Sequence, residues 1–143
     1  MADEGGIGRL RARMAAIPKA VREAVKPALV KSAEEMAATM RSLAPDDPAT
    51  DAPDLKTSIE VTGPGQQTPP YSQPGGSMTV PENAAAVTVG DHVVRYAHLL
   101  EYGTTKAPAQ PFFWPTVRLL RKRSTNRIKR AVSKAVRDNW GSK

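Results

Sequence analysis

The stretch that decides the fold is RYAHLLEYGTTKAPAQPFFWPTVR, residues 95–118, which holds most of the chain's seven aromatic residues. Three apolar residues at its start have the spacing of a short amphipathic turn: Tyr96, Leu99 and Leu100. Gly103 provides a stop for that turn, and the prolines after it hold the backbone extended. Phe112 then begins an apolar anchor before a helix that we expect to start at Pro115. The stretch predicts a rigid loop with aromatic edges.

A second helical pattern follows this loop, with apolar residues roughly on one face and Ser124 interrupting them. The opposite side of the helix carries a dense set of basic residues: Arg118, Arg121, Lys122, Arg123, Arg127, Lys129, Arg130 and Lys134. Such a face can be solvated, can contact DNA through its phosphates, or can pair with a neighbouring subunit. The pattern itself leaves these three uses open.

Upstream, the N-terminal third of the chain has the pattern of a long amphipathic helix. Apolar residues recur at steps of three and four: Ile7, Leu10, Met14, Ile17, Val21, Val25, Leu29, Ala33, Met36, Met40 and Leu43. Pro18 and Pro27 lie inside this pattern and each removes a backbone donor, so we expect a bend or a late start near Ile17. The helix should end before Pro45.

The middle of the chain has the pattern of a small antiparallel sheet. An acidic loop is expected over residues 44–54. Alternating apolar and polar residues then predict a half-buried strand: Leu55, Thr57, Ile59 and Val61. Residues 63–77, rich in Gly, Pro, Gln and Ser, suit a long flexible loop, either mobile or ordered on assembly. Short strands are expected near Met78–Val80 and Ala85–Val89, followed by a turn at Gly90–Asp91. The predicted fold class is therefore α+β: a long N-terminal amphipathic helix, a small antiparallel sheet with a long loop, and a basic C-terminal helix.

Length and composition place all 143 residues in a single domain with a modest core. The sequence contains no cysteine, and neither a membrane-spanning run nor a signal peptide is expected from its pattern. The formal charge of +7 is strongly polarised. Residues 1–43 carry 8 Lys or Arg and 5 Asp or Glu, residues 44–111 carry 3 and 8, and residues 112–143 carry 10 and 1. Such polarity suits contact with nucleic acid, or attraction between the basic end of one copy and the acidic middle of another.

Catalytic and metal sites find little support in the sequence. Glu101 has no neighbouring carboxylate, and we expect it to be buried and to accept backbone hydrogen bonds from the Gly103–Thr104 loop. His92 and His98 lack the spacing of a ligand pair, so zinc is not expected. Ser58 has no surrounding nucleophile-elbow pattern, and no phosphate-binding or dinucleotide fingerprint occurs. We therefore predict a protein that is not an enzyme and uses no cofactor.

The stretch at residues 95–118 also carries a motif that resembles that of a known family. Its order is Tyr-Ala, then Glu-aromatic-Gly-Thr, a spacer and Pro-Phe before a C-terminal helix. The positions that carry this likeness are Tyr96, Ala97, Glu101, Tyr102, Gly103, Thr104, Pro108, Pro111 and Phe112. Upstream, SLAP at residues 42–45 and the Leu55-x-x-Ser58-Ile59 pattern fit the same order. The chain thus resembles the siphophage head-to-tail joining proteins, also called tail-completion or neck proteins, over nearly its whole length.

The resemblance implies a structural virion protein without enzymatic activity. Such proteins form a homo-oligomeric ring, often sixfold, between the head-closure or portal-side ring and the tail terminator or tail tube. Double-stranded DNA passes through the lumen, and the particle is assembled in the host cytoplasm. It can be a phage, a prophage remnant or a gene transfer agent. The motif positions would then lie in a loop at an interface. Two alternatives stay open: a tail terminator ring that caps the tube, and a free basic DNA-binding protein.

Overall fold

The computed structural model describes residues 4–45, 55–74, 76–91 and 93–141. Within these ranges the chain forms three α-helices and one two-stranded sheet. The helices are α1 (Glu4–Leu43), α2 (Ala97–Tyr102) and α3 (Phe113–Gly141), and the strands are β1 (Glu60–Thr62) and β2 (Ala86–Thr88). The strands are antiparallel, with Val61 opposite Val87. The predicted α+β class is confirmed. The predicted acidic loop falls mostly on residues 46–54, and these lie outside the described residues.

Helix α1 starts earlier than the sequence indicates. It begins at Glu4 and continues through both Pro18 and Pro27, so the predicted late start near Ile17 is wrong. Both prolines are exposed, although they lie nine residues apart and so on opposite sides of the helix. At an exposed position water can bond the carbonyl that loses its intrahelical donor, which lowers the cost of an internal proline. The expected end of α1 before Pro45 is confirmed.

Helix α3 also begins earlier than predicted, at Phe113 rather than Pro115. Pro115 falls in the first turn, where a backbone N–H has no intrahelical acceptor and a missing one costs little. The helix then runs without a break to Gly141. Ser124 does not interrupt it, because this small residue is buried on the side facing α1.

The predicted strand at Leu55–Val61 is only partly correct. Residues Lys56–Ser58 form a 3-10 turn, and the strand begins at Glu60. The buried residues Leu55, Ser58 and Ile59 have the i, i+3, i+4 spacing of a helical turn, which the alternating pattern concealed. The Ser58 hydroxyl donates to the Leu55 carbonyl at 2.6 Å and accepts the Gly90 N–H at 3.1 Å. One buried serine therefore joins this turn to the end of β2.

The predicted turn at Gly90–Asp91 is present. Gly90 has φ +88°, and an added Cβ would lie 2.8 Å from the Val94 carbonyl oxygen. Asp91 Oδ1 accepts the N–H groups of Val93 and Val94, both at 2.8 Å. Of the two short strands expected around this region, β2 is found but residues 78–80 form none; Thr79 makes an isolated bridge to Gln67.

The loop at 63–77, which is described except for Gly75, is tied to the sheet by backbone hydrogen bonds. Thr68 is buried, and its N–H donates to the Met78 carbonyl at 2.8 Å. Gln73 exchanges two backbone hydrogen bonds with Val89, at 2.8 and 3.0 Å. The expectation that this loop is flexible and orders on assembly stays a prediction.

One hydrophobic cluster holds these elements together. It brings the C-terminal part of α1 against the turn before β1, the end of β2, α2 and the start of α3. Its most deeply buried large side chains are Met40, Leu55, Ile59, Val94 and Phe112. The tertiary contacts of α1 are mainly with α3, and its C-terminal part also touches both strands. The core thus lies at one end of the α1–α3 pair, beside the aromatic loop.

Candidate assembly surfaces

The aromatic loop connects α2 to α3 and has a defined backbone. Gly103 ends α2 with φ +77°, and its N–H donates to the Leu99 carbonyl at 2.9 Å. An added Cβ at this position would lie 2.8 Å from the Ala109 nitrogen, so glycine is needed both for its conformation and for its size. The Thr104 hydroxyl accepts two backbone N–H groups, and the Gln110 N–H donates to the Leu100 carbonyl at 2.7 Å. The loop therefore folds back on α2.

Glu101 holds the start of α3. Its Oε2 accepts the N–H groups of Phe112 and Phe113 at 2.9 and 3.0 Å, and its Oε1 accepts the N–H of Trp114 at 2.9 Å. A helix leaves its first N–H groups without intrahelical acceptors, and a carboxylate at that end also interacts favourably with the helix dipole. Glu101 therefore caps α3 from a different helix; we call this arrangement the Glu101 clamp.

The expectation for Glu101 is right about its burial and its role as an acceptor, and wrong about its donors. Glu101 is buried, 8% exposed, and it does accept backbone hydrogen bonds. The donors, however, belong to the first residues of α3 and not to the Gly103–Thr104 loop. The extended segment brings the start of α3 back over α2, and this places three parallel N–H groups in front of the carboxylate. Both oxygens are used in fixing the backbone, which is a structural role.

Aromatic side chains surround the clamp. Phe112, where the sequence predicts an apolar anchor, is fully buried, and Phe113 packs edge-on against Trp114 with ring centroids 5.0 Å apart. Trp114 Nε1 donates to the Tyr102 hydroxyl at 2.8 Å on the surface. A shallow, mainly apolar cleft lies beside this pair, with Gln73 and Pro74 of the 63–77 loop on its other side.

Helix α2 and the residue before it, Tyr96, present a stripe of exposed apolar side chains. Tyr96, Leu99 and Tyr102 lie at positions i, i+3 and i+6, on one face, and are 42, 45 and 70% exposed. Nearby, the Arg95 guanidinium stacks 4.0 Å from the centre of the exposed Tyr71 ring. We call the three side chains Tyr96, Leu99 and Tyr102 the α2 stripe. These exposed apolar side chains make the stripe a candidate surface for contact with another protein.

The nine motif positions come together around the clamp. Tyr96 precedes α2, and the helix contains Ala97, which is buried, Glu101 and Tyr102. Gly103 and Thr104 form the turn that follows. Pro108 and Pro111 are exposed along the extended segment, which leads to Phe112. The motif therefore specifies one small unit whose interior fixes α3 and whose exterior is apolar.

The eight basic residues predicted for one face of α3 divide into two groups. Six of them project into solvent, as does Arg137 further along the helix: Arg118, Arg121, Lys122, Lys129, Arg130 and Lys134. The other two face α1, where Arg127 donates to the Ser32 hydroxyl at 3.1 Å and to Glu35 at 2.5 Å, and Arg123 pairs with Glu35 at 3.0 Å. The Arg127 hydrogen bond, reinforced by the charges of Arg123 and Lys31, holds the pKa of Glu35 below its ordinary value, although partial desolvation opposes this.

Sequence reasoning missed this tie between α1 and α3. Arg127 and Glu35 are 92 residues apart, and a glutamate on a helix with many charges gives no local signal of its partner. The buried Ser32 was the one available hint, because a small polar residue within the apolar face indicates a close helix contact. The free basic face is correspondingly smaller than the eight predicted residues.

The described residues give no support to the metal-binding and catalytic candidates considered in the sequence. Among the described residues, no group of three or more His, Asp and Glu side chains is placed to hold a metal ion. His98 is exposed, and His92 lies outside the described residues. Ser58 uses its hydroxyl in the turn before β1, as described above. None of the described helices is long and apolar enough to cross a membrane.

Comparison with known families gives one match. Residues 8–103 match the family model described as "Bacteriophage HK97-gp10, putative tail-component". The matched range covers α1, the sheet and α2, and it ends at Gly103, just before the extended segment and α3. No curated protein and no solved structure shows significant similarity to the chain.

Proposed function

The chain belongs to the HK97-gp10-like family of bacteriophage tail components, and we propose that it forms a ring at the joint between head and tail. In this role it links the portal side of the capsid to the tail tube and encloses the DNA conduit of the virion. It acts by binding its neighbours and carries out no reaction. The family match over residues 8–103 is the observation that carries this proposal.

The surfaces of the chain support an assembly role. The α2 stripe is apolar and exposed, while the Glu101 clamp beneath it fixes the backbone with three charge-assisted hydrogen bonds. A rigid surface loses little conformational freedom on binding, so more of its contact energy appears as affinity. Subunits of a cyclic ring also need two different complementary faces, and the strong charge polarity of this chain supplies such a difference.

The six exposed basic residues of α3 suit the wall of a DNA conduit. Arg123 and Arg127 share the single carboxylate of Glu35, which offsets one of their two charges, and the other six cations form a moderate, exposed set. Contacts of this kind with phosphates are independent of sequence and weaken with salt, which suits a passage that must release DNA. We propose that these six side chains line the lumen of the ring.

The test is the mass of the purified protein in solution, alone and mixed with candidate neck and tail proteins, at low and moderate salt. We expect a discrete ring or a complex with a neck or tail partner. Capping of the tube end alone would indicate a tail terminator ring instead. A monomer that forms no complex with these partners and binds duplex DNA tightly would overturn the proposal in favour of a free DNA-binding protein.

A further inference from the structure

Four exposed aromatic rings gather around α2. Tyr96 and Tyr102 belong to the α2 stripe, and Trp114, which is 39% exposed, is hydrogen-bonded to Tyr102. Tyr71 is 57% exposed, and its ring lies against the guanidinium of Arg95, the residue before Tyr96. We call these four rings the aromatic face. Tyrosine and tryptophan combine a large apolar area with a polar group, and they are enriched where proteins bind one another.

Tyr71 has a backbone conformation that is costly for a large residue. Its φ of +62° lies in the left-handed region, where a bulky residue is rarely found. The ring gains no burial from this conformation, but it is placed at the surface against Arg95. The surrounding loop holds it there, since Gln73 exchanges two backbone hydrogen bonds with Val89. Backbone strain of this kind is concentrated at sites that bind a ligand or a partner.

The apolar cleft beside Tyr102 and Trp114 has a volume of about 70 Å³, and Gln73 and Pro74 form its other side. One water molecule occupies about 30 Å³ in the liquid, so the cleft has room for one small apolar side chain. The Glu101 clamp fixes the backbone at Trp114. The cleft is therefore formed before a partner arrives, which lowers the entropic cost of binding.

The exposed charges that border the aromatic face in the described part of the chain are basic. Arg95 precedes the α2 stripe, and Lys106 follows it in the aromatic loop; both are exposed. Between residues 92 and 137 the sequence has a single carboxylate, that of Glu101, which is buried and bonded to three backbone N–H groups. The 63–77 loop on the other side of the cleft has no charged residue. This charge favours an acidic partner.

A second copy of the chain offers no acidic patch among its described residues. Glu23 and Glu82 both pair with Lys26, and Asp91 accepts the N–H groups of its own turn. The described carboxylates outside the contacts given so far lie on three different elements: Glu34 on α1, Glu60 on β1 and Asp138 on α3. DNA is acidic too, but its phosphate backbone has no aliphatic side chain that could fill an apolar cleft. The surface therefore suits a different protein.

We propose that the aromatic face binds an acidic segment of a different protein. The segment inserts one small apolar side chain between Trp114 and Pro74, and its carboxylates lie beside Arg95 and Lys106. The rings and the cleft supply most of the affinity, while the two cations favour acidic partners over others. This inference goes beyond the proposed ring, because it concerns a surface of each subunit and does not depend on how the subunits meet.

A displayed library of random twelve-residue peptides, selected on the full chain, tests the proposal. We expect the enriched peptides to carry Asp or Glu on both sides of a small apolar residue. Their affinity, measured by fluorescence anisotropy, should fall about thirtyfold with Trp114→Ala, as for a central aromatic residue of an interface. Circular dichroism checks that this variant folds. A second variant, Arg95→Glu with Lys106→Glu, changes only exposed side chains and should weaken binding about tenfold.

The matched control, Lys129→Glu with Arg130→Glu, makes the same charge change on the exposed side of α3 and should leave peptide binding within about twofold. Peptides that lose affinity with this control and not with the cleft variants would overturn the inference, as would enriched peptides without acidic residues or no enrichment at all. Loss of duplex DNA binding alone in the cleft variants would also overturn it.

Mass measurement on the unmodified protein separates these failures from failure of the proposed function. A discrete ring without peptide binding at the cleft overturns this inference and leaves the ring standing. Peptide binding that depends on Trp114, in a protein that forms neither a ring nor a complex with neck or tail proteins, supports the inference and overturns the proposed function.

Discussion

Two glutamates fix α3 to the rest of the molecule, and they do so in different ways. At the start of the helix, Glu101 is buried and accepts hydrogen bonds from three backbone N–H groups. In the middle of α3, Arg123 and Arg127 pair with Glu35, a partly exposed residue of α1. The Glu101 contacts depend on the path of the backbone at the start of α3, whereas the Glu35 contacts depend on two flexible arginine side chains. The difference predicts that the start of α3 is the more sensitive to substitution.

The largest effect is expected for Glu101→Ala. It leaves the N–H groups of Phe112, Phe113 and Trp114 without their acceptor in a buried place, which should cost about 3 kcal/mol of unfolding free energy. Urea denaturation followed by circular dichroism measures the loss. Glu101→Gln is the control, because its carbonyl oxygen keeps part of the acceptor capacity and the loss should be smaller. An alanine variant as stable as the parent would show that water replaces the carboxylate at no cost.

A smaller effect, about 2 kcal/mol, is expected for Gly103→Ala. The substitution puts a Cβ 2.8 Å from the Ala109 nitrogen at a residue with φ +77°, so the loop that positions the clamp must shift. Gly8→Ala is the matched control. Gly8 lies in α1 with no heavy atom within 4 Å of the added Cβ, and there alanine should stabilise the helix by up to about 1 kcal/mol. Loss of stability in both variants would contradict the role assigned to the loop.

The smallest effect is expected for Glu35→Gln, and it should depend on pH. The pKa of Glu35 is lowered in the folded chain, first by the Arg127 hydrogen bond, so its ionised form stabilises the fold above the pKa it has when unfolded. This contribution is lost as pH falls through the lowered pKa. Urea midpoints of parent and variant should therefore differ at neutral pH and converge in acid.

The control for this prediction is Glu34→Gln, which makes the same charge change on an exposed neighbour in α1. Its difference from the parent should be smaller at neutral pH. If Glu35→Gln differed from the parent by the same amount at every pH, the pairing with Arg127 would not be the source of its stability. An effect as large as that of Glu101→Ala would remove the distinction between the two glutamates.

The two glutamates also illustrate which features of the molecule could be predicted from the sequence. Spacing and turn residues are local signals, so α2, the stop at Gly103, the buried Phe112 and the α+β class could be recognised. The clamp could be foreseen only in part: burial of Glu101 follows from its setting, but its donors depend on how the extended segment returns over α2. The pairing of Glu35 with Arg127 could not be foreseen, because it depends on the register of two helices far apart in sequence.

Errors at the prolines and in the first strand have a related origin. Pro18 and Pro27 are tolerated because both positions are exposed, and Pro115 because it lies in a first turn. The segment at Leu55–Ile59 satisfies both an alternating and a helical spacing over its few residues. The backbone hydrogen bonds of the turn and those of the Ser58 hydroxyl, one of them from Gly90, distinguish the two.

The length of α1 gives the molecule a mechanical property. The packing of α1 against the rest of the molecule reaches Val25, the first buried residue among its described side chains, and Ile7 lies about 27 Å further along the helix at 1.5 Å per residue. A tilt of α1 by about 5° at Val25 then moves Ile7 by about 2 Å. Small adjustments of the packing between α1 and α3 are thus amplified at the N-terminal end of α1 without breaking the core.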